Sequence, residues 1–126
     1  MAVNAYAQYK KQSVMTMTQG EMLLKLYDEV LKQLVRGKQA IQEKDSMTRN
    51  AALQKAQRII NYLRATLNFK YDVSNNLAAL YDYFNKQIVR ANIKGEAALL
   101  DEVFPMVQEL RDAFCQADKM SKVQNA

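Results

Sequence analysis

Apolar side chains recur three and four residues apart in four successive stretches of this chain, and little interrupts them: its 126 residues hold three glycines and one proline. Such a period predicts helices, because a strand needs strict alternation and a turn needs residues that tolerate unusual backbone angles. Thr18-Gln19-Gly20-Glu21 reads as a capping box, in which the threonine hydroxyl accepts from the N–H three residues on and Glu21 reaches back. Leu23, Leu26, Tyr27, Val30, Leu34, Gly37 and Ile41 then form one face, and the helix is expected to end near Glu43-Lys44. Asp45 or Ser46 caps a second helix whose face is Ala52, Leu53, Ala56, Ile59, Ile60, Leu63 and Leu67. The segment Asn68 to Asp72 is a loop whose two aromatics, Phe69 and Tyr71, are expected to tuck against the end of the fold. Asp72 or Ser74 caps a third helix, with Leu77, Leu80, Tyr81, Phe84, Ile88 and Ala91 on its face and Lys94-Gly95 as its stop. A fourth helix runs from about Glu96 to Asp118 on Leu99, Leu100, Val103, Val107, Leu110, Phe114 and Ala117, with a kink or break expected near Phe104 because Pro105 lacks a backbone N–H. Short connections make successive helices antiparallel, so the chain reads as an all-α, up-down four-helix bundle over residues 18–120. Residues 1–17 form an N-terminal arm and residues 121–126 a frayed C-terminus.

The residues needed for most catalysis are missing. The chain has no histidine and one cysteine. That removes Ser–His and Cys–His nucleophile pairs, imidazole ligands and Cys-rich zinc sites. Three isolated glycines do not build a phosphate-cradling loop. A di-metal bundle centre needs inward Glu and Glu-x-x-His pairs, whereas Asp28, Glu29, Asp101, Glu102, Glu109 and Asp112 fall mostly off the apolar stripes. Cys115 reads as a small hydrophobe beside Phe114. The expectation is a protein that is not an enzyme, holds no cofactor or metal, and works by contact. No apolar run is long enough to insert in a membrane and no secretory signal is visible, so with a free cysteine the chain reads as cytoplasmic.

The net charge of +5 is concentrated in residues 1–70, while residues 71–126 are slightly acidic. A basic half admits nucleic acid as a partner, but the cations are spaced out on helix faces and no helix-turn-helix signature accompanies them. Met22, Leu24, Leu31, Val35, Ala78, Ala79 and Val89 lie outside the best stripes, which is more apolar surface than a bundle seam needs. Such a surplus reads either as the width any globular helix packs into its core or as a groove kept for a partner, which seven methionines would make adaptable. A second copy of the chain would cover the same groove, giving a monomer or weak homodimer. Tyr27 and Tyr81 lie on core stripes and their hydroxyls need a partner, whereas Tyr6 and Tyr9 lie on the arm, where the rings either serve recognition or fold back to cap the bundle.

Taken in order, Asn4-Ala5-Tyr6 and Tyr9, Ser13-Val14, Leu26-Tyr27-Asp28, Lys55-Ala56 with Ile59-Ile60, Asn76-Leu77, Leu80-Tyr81-Asp82-Tyr83 and Ala91-Asn92-Ile93 resemble the FliS family of flagellin-specific export chaperones. The match runs through nearly the whole chain, and the ordered set is specific where no single motif is. The resemblance implies a cytoplasmic four-helix-bundle chaperone that binds the disordered C-terminal segment of flagellin, prevents premature polymerisation and supports delivery to the flagellar type III export gate without nucleotide hydrolysis. It further implies that Val3, Tyr6 and Tyr9 cover a groove or engage the gate, and that Tyr27, Leu77, Tyr81, Tyr83, Ile88 and Asn92 are partner-binding positions. The chain departs from the family pattern at Gln19-Gly20, where a proline often stands, at Phe114, where a tryptophan often stands, and at Pro105. The last puts a straight fourth helix, and the groove beside it, in question. The alternatives are a helical nucleic-acid-binding module or a self-associating structural bundle.

Overall fold

A computed structural model describes residues 17–124 as four helices joined by turns. They are α1 (Gln19–Gln42), α2 (Ser46–Ala65), α3 (Val73–Lys94) and α4 (Ala97–Gln124). Each helix packs on the one before it and α4 returns to α1, which closes an antiparallel up-down four-helix bundle. The arm with Val3, Tyr6 and Tyr9 lies outside the described residues.

Local chemistry sets the helix ends. The Thr18 hydroxyl accepts from the Glu21 N–H at 3.1 Å, and Asp45 accepts from the Thr48 N–H at 3.1 Å. Between them Lys44 takes a left-handed φ of 57°, and the Asp45 N–H closes back on Ala40 O at 2.9 Å. That is a Schellman-type stop with lysine where glycine is easiest. Gly95 (φ 66°) ends α3 in the same way. The start of α3 departs from expectation. Neither Asp72 nor Ser74 caps it with a side chain: Asp72 makes no cap bond, and the Ser74 hydroxyl donates to Asn68 O at 2.6 Å.

The core is built from the predicted stripes. Tyr27, Val30, Leu34, Leu53, Ile60, Phe84, Ile88, Leu100, Val103 and Val107 are buried together. Leu31 and Ala78, placed outside the stripes by periodicity, are buried too, whereas Ala117 is exposed. Among the described residues five ion pairs link neighbouring helices, including Lys38–Asp101 (2.8 Å), Lys55–Glu29 (3.0 Å), Arg64–Asp82 (2.7 Å) and Arg111–Asp28 (2.9 Å). Exposed pairs of this kind contribute about 0.2–1 kcal/mol each, so they set helix register more than stability.

The periphery departs from expectation at three points. Pro105 sits inside α4, and of the kink or break expected there the break is absent. α4 runs past its expected end at Asp118 to Gln124. Phe69 and Tyr71 do not tuck in: they are 56% and 65% exposed. Their loop is held by its own polar bonds, Tyr71 N–H to Asn68 O at 3.2 Å and Lys70 N–H to Asn68 Oδ1 at 3.0 Å, so the rings are not needed to fix it.

Candidate functional site

Between α1 and α2 the helices meet in full only below the surface. Met22 and Leu26, one turn apart on α1, face Ile59 and Tyr62 of antiparallel α2 across an open groove of about 360 Å³. Tyr62 is 52% exposed and Leu26 and Ile59 are half-buried, so apolar surface is left in water. At one end the groove widens into a hollow of about 460 Å³ at the end of the bundle, where Leu67, Leu77, Tyr81 and Phe114 join the wall. At the other end Lys55 and Arg58 line it. There Lys55 reaches across to Glu29, and hydrogen bonds from Gln33 and Lys55 hold the Glu29 carboxyl below its usual range.

The floor of the hollow is rigid for a specific reason. The Tyr27 and Tyr81 hydroxyls hydrogen-bond to each other inside the bundle, joining α1 to α3. Burial pushes both phenols above the ordinary tyrosine value, so the pair stays neutral at physiological pH. Tyr27 also stacks on Phe114 of α4, ring centroids 5.5 Å apart. The partner that each buried hydroxyl needed is therefore the other tyrosine, which periodicity could not pair because they lie 54 residues apart.

The positions named from sequence scatter over the molecule. Leu77 and Tyr81 come together on the hollow's wall, with Tyr27 bonded to Tyr81. Tyr83 lies away from them, its hydroxyl donating to Glu102 of α4 at 3.4 Å. Asn92 is half-buried between α2 and α3, accepting from Arg49 at 2.9 Å and donating to Asn50 at 3.0 Å. Ile88, on the core face by periodicity and a partner position by the resemblance, is wholly buried. Sequence reasoning missed Ile59, Tyr62 and Arg58. Ile59 lies on the core stripe by periodicity and the other two on no stripe, and only the antiparallel placement of α1 brings Met22 and Leu26 opposite them.

A second apolar groove, about 380 Å³, lies between α1 and α4, where Val35 and Leu34 face Phe104 and Pro105. Among the described residues no group of three metal-ligating side chains converges, and no helix is long and apolar enough to cross a membrane.

Residues 2–121 match the family model described as Flagellar protein FliS. The chain is 42% identical over 114 residues to the flagellar secretion chaperone FliS of Bacillus subtilis (strain 168), covering 90% of this chain and 86% of that one. It is 33% identical over 114 residues to the flagellar secretion chaperone FliS of Escherichia coli (strain K12), covering 87% and 84%. The fold is similar to a crystal structure of a flagellar chaperone from bacteria, with a TM-score of 0.76 at 21% identity, over 94% of this chain and 98% of that one.

Proposed function

The chain belongs to the FliS family of flagellar proteins, and from that footing we propose that it is a flagellin chaperone acting in the cytoplasm. It binds the disordered C-terminal segment of flagellin, prevents its premature polymerisation and supports its delivery to the flagellar type III export apparatus. The observation that carries this reading is the continuous apolar path from Lys55 through Leu26 and Ile59 into the hollow at Leu77 and Tyr81.

The physics is coupled folding and binding. An isolated flagellin tail leaves its apolar side chains in water. Seated between α1 and α2 it forms a helix, with anchors three and four residues apart entering the spaces around Leu26 and Ile59. Ordering the tail costs about 2–5 kcal/mol of the gross interaction, so the complex stays exchangeable. Binding is stoichiometric, and release comes from competition at the export gate rather than from a chemical step. Val3, Tyr6 and Tyr9 on the arm are the positions proposed to engage the gate or cover the groove, and Leu77 and Tyr81 those proposed to meet the client. Tyr83 and Asn92 are proposed client contacts on other faces of the bundle.

The test is co-purification of the full chain with the C-terminal segment of its own organism's flagellin, followed by hydrogen exchange. Protection of α1 and α2 amides around Leu26 and Ile59 is expected, and failure to retain the segment sinks the reading.

A further inference from the structure

We propose that Arg58 is a specificity residue that selects clients carrying an acidic side chain within one helical turn of the apolar anchor seated on Ile59. The inference rests on the client-binding reading above and sharpens it, from an apolar segment to an apolar segment with a placed carboxylate.

The groove is asymmetric in charge. Its walls at Met22, Leu26, Ile59 and Tyr62 are apolar, and both of its cations, Lys55 and Arg58, stand together at the end away from the hollow. Lys55 is committed to Glu29 at 3.0 Å. Arg58 makes no ion pair among the described residues and is exposed at the groove's edge. A guanidinium there can lay its stem on apolar surface and present two N–H groups to a carboxylate.

Length and register fit a short helix. From Lys55 to Thr66 the α2 backbone rises roughly 17 Å, which a client helix of about three turns would match. Arg58 adjoins Ile59 on the side toward Lys55, so a carboxylate one turn beyond the Ile59 anchor falls within its reach.

The same charge argues against a second copy of the chain as the occupant. A second copy laid parallel, groove to groove, would set its own Lys55 and Arg58 against the first pair, and laid antiparallel it would set them at the end lined by Leu67, Leu77 and Tyr81, where no carboxylate lines the wall to meet them. An acidic client is the occupant this rim favours.

Titration calorimetry of the full chain against the C-terminal segment of its own organism's flagellin tests the idea, with wild type, Arg58→Ala and Arg58→Glu compared at two salt concentrations. The expected result is binding that weakens with salt, a loss of about tenfold for Arg58→Glu with an unchanged melting temperature, and a smaller loss for Arg58→Ala. A scan in which each Asp or Glu of the segment is changed to Lys is expected to restore binding to Arg58→Glu at one position. Wild-type affinity in Arg58→Glu, or no restoring position, overturns the inference while leaving the chaperone reading intact. A wild-type chain that does not bind the segment overturns both. A homodimer of the free chain that Arg58→Glu strengthens or dissociates would assign the groove to a second copy instead.

Discussion

The α1–α2 pair is sealed at one end and open at the other. Around Gly37 the two helices are in close contact: a Cβ added there would stand 2.5 Å from Leu53 Cδ2, so only glycine lets Leu53 lie against the α1 backbone. Toward the N-terminus of α1, Met22 and Leu26 line an open groove with Ile59 and Tyr62. The same two helices therefore perform two tasks. Small against large at Gly37 and Leu53 closes the seam and holds the fold, while large against large at Leu26 and Tyr62 props it open and leaves apolar surface for a client.

The sharpest way to break this contrast is to exchange the costs at its two ends. Leu53→Ala, in a fully buried site, is expected to lower the unfolding free energy by about 2–5 kcal/mol in a urea titration. Its folded fraction should still bind the flagellin segment normally. Gly37→Val is expected to lower it by about 1–3 kcal/mol, because the added methyls meet Leu53 and the seam must part. Tyr62→Ala should do the reverse. Its half-exposed ring leaves stability changed by less than about 1 kcal/mol, while affinity for the segment falls about tenfold.

The remaining two measurements concern the supports of each end. Beneath the open end, Tyr27 and Tyr81 have folded pKa values raised above the tyrosine value of 10.0. The unfolded chain then releases protons that the folded chain keeps. Their contribution is complete below pH 10.0 and is lost as pH rises above it, at up to about 1.4 kcal/mol per pH unit for each phenol. Thermal melts at rising alkaline pH should show this loss, and Tyr27→Phe with Tyr81→Phe should flatten it. At the sealed end, Lys44→Gly relieves the left-handed turn between α1 and α2 and is expected to add about 1 kcal/mol, with client affinity unchanged.

Much of this architecture is legible in the sequence. The stripes on all four helices became the core because burial follows the helical period. The caps at Thr18 and Asp45 and the stop at Gly95 follow from local chemistry that a few residues settle among themselves. Local signals failed where a competing bond was available: Ser74 gave its hydroxyl to Asn68 O instead of capping α3, and Asn68 held the loop that Phe69 and Tyr71 were expected to anchor. Pro105 was expected to bend or break α4, yet the helix passes through it unbroken.

The candidate site was far less legible. Leu77 and Tyr81 were named from sequence and do line the hollow. Ile88 is wholly buried, while Ile59, a core-face position by periodicity, lines the groove with Tyr62 and Arg58, which no pattern in the sequence singled out. The sequence by itself determined the helices, their order and their apolar faces, because each depends on residues within a turn or two of one another. Only the tertiary structure decided that Tyr27 would bond to Tyr81, that Gly37 would close on Leu53, and that Met22 and Leu26 would leave a gap before Ile59 and Tyr62. A groove is the space between two helices, and its width depends on side chains far apart in the chain, which no local pattern records.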